Sequence, residues 1–327
     1  MMCPPEDGKV GAEIPANSPY AQESGVPALL PSFVCYADIL GFKEQSRAAI
    51  ESGVGAEFLR HLREVLNEVY KRVRRIADVG ERELFSVKVF TDNVVVGYPT
   101  PRWYFDHGES EFGTMLWVFN ELQVALAMEG FLVRGGIAFG DHYMDEDIVF
   151  GSALLEAVAL DKGGGPPRLA LAPSAVEQVR HHIGFYGHAR NAPHYSDLLE
   201  DPDGVVFLNY LDNAFMAIPD DGIFFDVIEK HRDTIQAGLA KYAGRPSVRS
   251  KFEWAARYHN FVCLDFANTH PLRDYEEPSD ELEALVEQEA QRLRDFLVEE
   301  DLGRVSPRRI SLEPIRPGAR GKGTIVR

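Results

Sequence analysis

Ser32-Phe33-Val34-Cys35-Tyr36-Ala37-Asp38-Ile39-Leu40-Gly41-Phe42-Lys43 opens as an apolar, β-favouring run of strand length. The run stops at a carboxylate, Asp38, and the chain turns through Gly41 into a segment of helical character. An Asp at a strand end is ordinarily a turn residue or a helix N-cap. A second stretch offers another use. In Val87-Lys88-Val89-Phe90-Thr91-Asp92-Asn93-Val94-Val95-Val96-Gly97, Asp92-Asn93 stands between two β-rich runs, the pattern of a tight two-residue hairpin. One Asp ending a strand and another on a neighbouring hairpin can together hold two divalent cations.

Working outward, residues 57–77 carry apolar side chains at Phe58, Leu62, Val65, Leu66, Val69, Val73 and Ile76. That is one stripe at helical spacing, with a solvated Arg/Lys face opposite. The hairpin spans about 83–98. A second helix is predicted over 111–128, apolar nearly all round through Met115, Leu116, Trp117, Phe119, Leu122 and Leu126. A strand bearing Arg134 follows, then a short strand at 148–151 and a helix through Leu160. In order this reads β-α-β-β-α-β, an α+β domain on the ferredoxin-like or split-βαβ plan. In such a sheet the first strand and the central hairpin are neighbours, so Asp38 and Asp92 can meet at one sheet edge.

Beyond residue 160 the signals thin. Lys162-Gly163-Gly164-Gly165-Pro166-Pro167 lacks the Lys-Ser/Thr and helix start of a phosphate loop and reads as a flexible loop. His181, His182, His188 and His194 lack the paired spacing of a zinc site. Strands are expected near Arg168 and at 205–211, and helices within 222–242 and over 246–260. An amphipathic acidic helix falls within 280–300. The predicted organisation is a mobile N-terminal tail (1–30), a catalytic domain (31–265), and a C-terminal helix with a basic, solvated tail (266–327).

With 327 residues, 45% apolar and 26% charged, the composition is that of a globular domain. A formal charge of −17 argues against a nucleic acid as main partner, which needs a basic surface; a nucleotide stays open, because a local metal and a few cations can outweigh the global sign. Cys3, Cys35 and Cys263 have no paired spacing, and two lie in apolar runs, as buried thiols in a reducing compartment do. No run approaches the ~20 apolar residues of a membrane span. A cytoplasmic protein without membrane contact is expected.

Three motifs in order carry a resemblance: Asp38-Ile39-Leu40-Gly41-Phe42, Lys88-Val89-Phe90-Thr91-Asp92 and Arg134-Gly135-Gly136-Ile137-Ala138-Phe139-Gly140. Together they resemble the class III nucleotide cyclase catalytic domain over residues 32–160. Thr91-Asp92-Asn93, Phe150-Gly151-Ser152-Ala153 and Tyr258-His259-Asn260 look most like the bacterial pyrimidine cyclases of Pycsar antiphage systems.

The resemblance implies that Asp38, Asp92 and the Ile39 carbonyl bind two Mg²⁺ or Mn²⁺ ions per site. It implies phosphate contacts from the Leu40-Gly41-Phe42 turn and Lys43 and from Arg134, and a base-reading Lys88 supplied by the opposite protomer of a C₂ homodimer. UTP ahead of CTP would be closed to the 3′,5′-cyclic nucleotide, with pyrophosphate released. The product would act as a second messenger on a separate effector in antiphage defence. Phe42, Phe85, Phe90 and Phe150 are expected near the base pocket. The chain departs from the common purine cyclases at Leu155 and Ala159, where a transition-state Asn and Arg usually stand. An adenylate or guanylate cyclase, another two-metal nucleotidyl transferase and a non-catalytic nucleotide sensor remain as alternatives.

Overall fold

The computed structural model describes residues 19–20, 27–77, 85–100, 107–162, 164–215, 223–270, 279–300, 302 and 306–316. Strand β1 (Leu30–Ile39) is the centre of the plan. Two helices, α1 (Phe42–Glu51) and α2 (Gly55–Ala77), lead to the hairpin β2 (Ser86–Phe90) and β3 (Asn93–Pro99). Helix α3 (Glu109–Met128) then returns the chain to β4 (Val133–Met144), which folds back as β5 (Val149–Gly151) into α4 (Ser152–Asp161). The first four strands lie in the order β2-β3-β1-β4, each antiparallel to its neighbour. The two crossovers therefore interleave, and β1 is paired on both sides, as the adjacency of strand and hairpin required.

The sheet continues beyond that unit. β6 (Leu169–Leu171) pairs parallel to β4, and β8 (Val206–Leu208), β7 (Leu198–Glu200) and β9 (Arg308–Arg309) extend it. The result is a mixed α/β architecture with nine strands among the described residues. Helices α5 (Pro173–Tyr186), α6 (Phe225–Lys241), α7 (Pro246–Asn268) and α8 (Asp280–Asp295) complete it. No helix among the described residues is long and apolar enough to cross a membrane.

Period-two alternation decides which side of β1 faces what. Phe33, Cys35, Ala37 and Ile39 point into the larger core with α2, α3 and α5. Val34 and Tyr36 point to the other face, in a smaller cluster with Ala153 and Ala157 of α4. Asp38 follows Val34 and Tyr36 onto that second face. A third core joins β7 and β8 to α6, α7 and α8 through Leu199, Phe207, Ile235, Trp254 and Leu293.

Several expectations need correction. Helix α5 and strand β7 were not foreseen, although Pro at the first turn of α5 and Gly187 at its end, with φ 74°, are ordinary helix punctuation. Within the stretch expected to be a mobile tail, Tyr20 is fully buried and donates a 3.1 Å hydrogen bond to Ser32 Oγ. The basic end is not all solvated: β9 pairs with β7, Ile310 is buried, and Arg309 Nη2 lies 2.7 Å from Asp265 Oδ2. An exposed β edge and an unpaired carboxylate attract a segment that composition alone reads as free.

Tyr258-His259-Asn260 serves packing. Tyr258 donates to Asn209 Oδ1 at 2.9 Å and accepts from Leu211 N at 2.8 Å, and Asn260 makes two bonds to the Val298 backbone. His259 belongs to a buried chain whose geometry assigns every proton. His259 Nε2–H donates to Phe296 O at 3.0 Å, leaving its Nδ1 to accept from His231 Nδ1–H at 2.9 Å. His231 Nε2 then accepts from the Tyr210 hydroxyl at 2.7 Å. Burial holds His231 well below the usual imidazole range and pushes His259 down to about 4. The unfolded chain takes up these protons first as pH falls, so the contribution of this chain is fully present above the ordinary 6.5 and is lost as pH drops toward about 4. Imidazole nitrogen NMR is expected to show neither ring titrating near 6.5; a normal titration of either would break the assignment.

Candidate functional site

The strand register brings three of the motif positions together. Asp38 is directly opposite Asn93 of β3 on one side and Arg134 of β4 on the other. The hairpin tip is Thr91-Asp92, one residue earlier than expected: Phe90 pairs with Asn93, so Asn93 already belongs to β3. Thr91 takes the left-handed conformation with φ 54°, and its hydroxyl donates to Asp92 Oδ1 at 2.6 Å. Asn93 Nδ2 reaches the same oxygen at 3.3 Å. The Asp92 carbonyl accepts from Ile39 N at 3.2 Å, which ties the hairpin tip to the end of β1. Tyr36 donates to Asn93 Oδ1 from the same face.

Arg134 lies between two acids. Its Nε and Nη2 each stand 3.2 Å from Asp38 Oδ2, and Nε is 2.7 Å from Asp161 Oδ1. Asp161 is the last residue of α4, which lies close enough to meet Arg134 because glycines follow it in β4. A Cβ at Gly135 would stand 1.9 Å from Tyr36 O, and one at Gly136 would stand 2.6 Å from Ala157 O. The glycines of this motif thus have a packing reason: they let β1 and α4 close on β4.

Burial pushes the Asp38 carboxyl up to about 6, reinforced by the Asp161 and Asp92 charges and opposed by Arg134. The cluster therefore carries more negative charge than its one guanidinium offsets. Lys251 of α7 stands within electrostatic reach; burial and Arg134 lower its ammonium, while Glu44, Asp161 and Asp38 raise it.

The turn expected to meet phosphates is formed as a helix start. Gly41 precedes α1 with φ 74°, a conformation that favours glycine. Lys43 is exposed in the first helical turn. Leu40 is buried, with its N bonded to Leu132 O at 2.8 Å. Lys88 is on the second face too; its Nζ is 3.3 Å from Asp145 O and 5.5 Å from the Phe90 ring centroid.

The aromatic expectation divides. Phe42 packs on Phe58, and Phe85 is buried against Tyr98, so both serve the larger core. Phe90 and Phe150 are exposed. Leu155 is 74% exposed, and Ala159 is also exposed one turn further along α4.

Two residues of the cluster escaped the sequence reading. Asp161 could have been suspected as the acid ending a helix before a glycine run. Lys251 has no local signal, since it lies on a helix far along the chain.

Among the described residues, no three His, Cys, Asp or Glu side chains form a ready-made cage for a metal. Compared with known proteins, the chain matches no family model and no curated protein.

Proposed function

We propose that this chain is a class III-type nucleotide cyclase that converts a pyrimidine nucleoside triphosphate, UTP ahead of CTP, to the 3′,5′-cyclic nucleotide and pyrophosphate. The observation that carries the reading is the register: Asp38 is paired at once with the hairpin residue next to Asp92 and with Arg134.

The donor set suits Mg²⁺ or Mn²⁺. Mg²⁺ takes one or two carboxylates and completes its shell with substrate phosphates and water instead of an all-protein cage. Asp38, Asp92 and the Ile39 carbonyl are the residues that would hold two such ions. The ions would acidify the ribose 3′-hydroxyl and offset the charge of departing pyrophosphate. Arg134 pairs with Asp38 and Asp161, and its guanidinium would turn toward a phosphate of the bound substrate. The backbone at the start of α1 presents N–H groups where an anion is favoured, with Lys43 beside them.

Lys88 reads the base from the partner of a C₂ homodimer. Uracil O4 accepts a hydrogen bond where cytosine offers a donor, so a lysine favours UTP. Phe90, Ile148, Phe150 and Leu155 are exposed and supply apolar surface for that partner. The cyclic product serves as a cytoplasmic second messenger for a separate antiphage effector. A nucleotide sensor without turnover is the second reading, favoured by the aliphatic side chains at Leu155 and Ala159.

Incubation with each of UTP, CTP, ATP and GTP in Mn²⁺, with products identified by mass spectrometry, tests this directly. Cyclic UMP is expected to dominate. Dominant cyclic CMP overturns the uracil preference, dominant cyclic AMP or GMP overturns the pyrimidine assignment, and nucleotide binding without a cyclic product selects the sensor.

A further inference from the structure

An open cleft of about 540 Å³ lies between α7, the loop after α4 and the β7–β8 turn. Its α7 wall presents Ser247, Ser250, Lys251, Trp254 and Arg257, which fall at one helical face by their spacing. Its floor at the α4 end is Gly164-Gly165. The cleft adjoins the Asp38–Arg134–Asp161 cluster: Gly164 N donates to Asp161 O at 3.1 Å. Arg245, just before α7, stands 4.0 Å from Glu44 in the first turn of α1, so the start of α7 lies beside the phosphate turn.

The charges inside the cleft are unequal. Asp201 and Asp203 on the opposite wall are both engaged by the buried Arg168, Asp203 at 2.6 Å, and Trp254 Nε1 donates to Asp201 at 2.7 Å. Lys251 and Arg257 make no ion pair among the described residues. Two cations facing a cleft without a carboxylate at ion-pair distance are notable in a chain of net charge −17. They are six residues apart on a helix, about 9 Å along its axis, with hydroxyls near one of them. That spacing suits an extended polyanion better than a single small anion.

We infer that the cleft is the polyphosphate arm of the site, in which Lys251 and Arg257, helped by Ser247 and Ser250, hold the β- and γ-phosphates and then the departing pyrophosphate. This rests on the cyclase reading for the identity of the substrate. The cations touch the phosphates that leave, while Asp38 and Asp92 serve the reacting end. Their reach accounts for a helix outside the β-α-β-β-α-β unit being packed beside it.

The test uses the full chain and inorganic tripolyphosphate in metal-free buffer, so that protein cations alone supply the attraction. Binding is followed by calorimetry and by Trp254 fluorescence. Lys251→Gln and Arg257→Gln are each expected to weaken binding about tenfold, and the double variant about 100-fold. In turnover, the NTP KM should rise with a smaller change in kcat. Both side chains are partly exposed, and an unchanged thermal midpoint checks that the variants fold. A folded double variant that binds tripolyphosphate like the parent overturns the inference, as does a parent that does not bind it. Cyclisation with unaltered polyphosphate binding in the variants would leave the enzyme reading standing and remove the cleft from it. Cation-dependent binding without cyclisation of any NTP would do the reverse.

Discussion

Asp38→Asn is expected to lower cyclisation by about three orders of magnitude and, at neutral pH, to make the protein more stable. The two effects share one cause. Asp38 is a largely buried carboxylate beside Asp92 and Asp161, paired with Arg134 and with Lys251 in weaker electrostatic reach. That arrangement suits a cation and costs stability without one. The folded carboxyl is pushed up to about 6 from an ordinary 3.8. As pH rises from 3.8 the unfolded chain gives up this proton first, so folded stability falls until about 6 and stays lower above it. The amide has no charge to desolvate and retains an oxygen for Arg134. The variant should therefore match the parent in thermal midpoint at acid pH and exceed it at neutral pH, by about 1–2 kcal/mol after solvent screening. Scanning calorimetry across that window, with the cyclisation assay alongside, reads both halves. A variant that still turns over sinks the ligand role; one destabilised at neutral pH sinks the charge argument.

Mixing two inactive proteins is expected to restore activity. If each site joins Asp92 of one protomer to Lys88 of its partner, Asp92→Ala and Lys88→Ala homodimers both lack a complete site. A heterodimer concentrates both lesions in one site and leaves the other intact. Random exchange of equal amounts makes half the dimers heterodimers, so about a quarter of the parental sites reappear. The placement of Lys88 is compatible with this. It lies on edge strand β2, two residues before the exposed Phe90, and among the described residues its ammonium lies by the Asp145 carbonyl and the Phe90 ring, with the Asp145 carboxylate in electrostatic reach. Activity should also fall on dilution below the dimer dissociation constant. Absence of recovery from folded, exchanging subunits, or full activity in a monomer, would show that each chain builds its site alone.

Much of the central plan was legible because it is written in short-range pattern. The alternation in residues 32–39 places Asp38 opposite the larger core, and a one-residue slip would have moved every side chain of β1 to the wrong face. The helical stripe of α2 and the all-round apolar α3 are likewise local signals. Even here chemistry finer than pattern intervened: Thr91 takes a left-handed conformation and bonds Asp92, which moves the hairpin tip by one residue. The resemblance located Arg134, but the reason for the two glycines after it became visible only with Tyr36 O and Ala157 O against them.

By itself, then, the sequence determined the order of elements around β1, the neighbourhood of Asp38 and the Asp92 hairpin, and the negative balance of the whole chain. Tertiary structure alone decided that Asp161 closes on Arg134, that Lys251 overlooks the cluster, and that Gly164 and Gly165 floor a cleft. It also decided that Arg309 is tied to Asp265. The physical reason lies in how each kind of residue is constrained. Apolar residues must be buried, and burial imposes a period that can be read along the chain. A charged residue on a helix face is at ease in water at any position, so its sequence context carries no trace of a partner. Its role is set by which elements pack beside it, and for Lys251 that is the docking of α7 against the start of α1, more than 200 residues away in sequence.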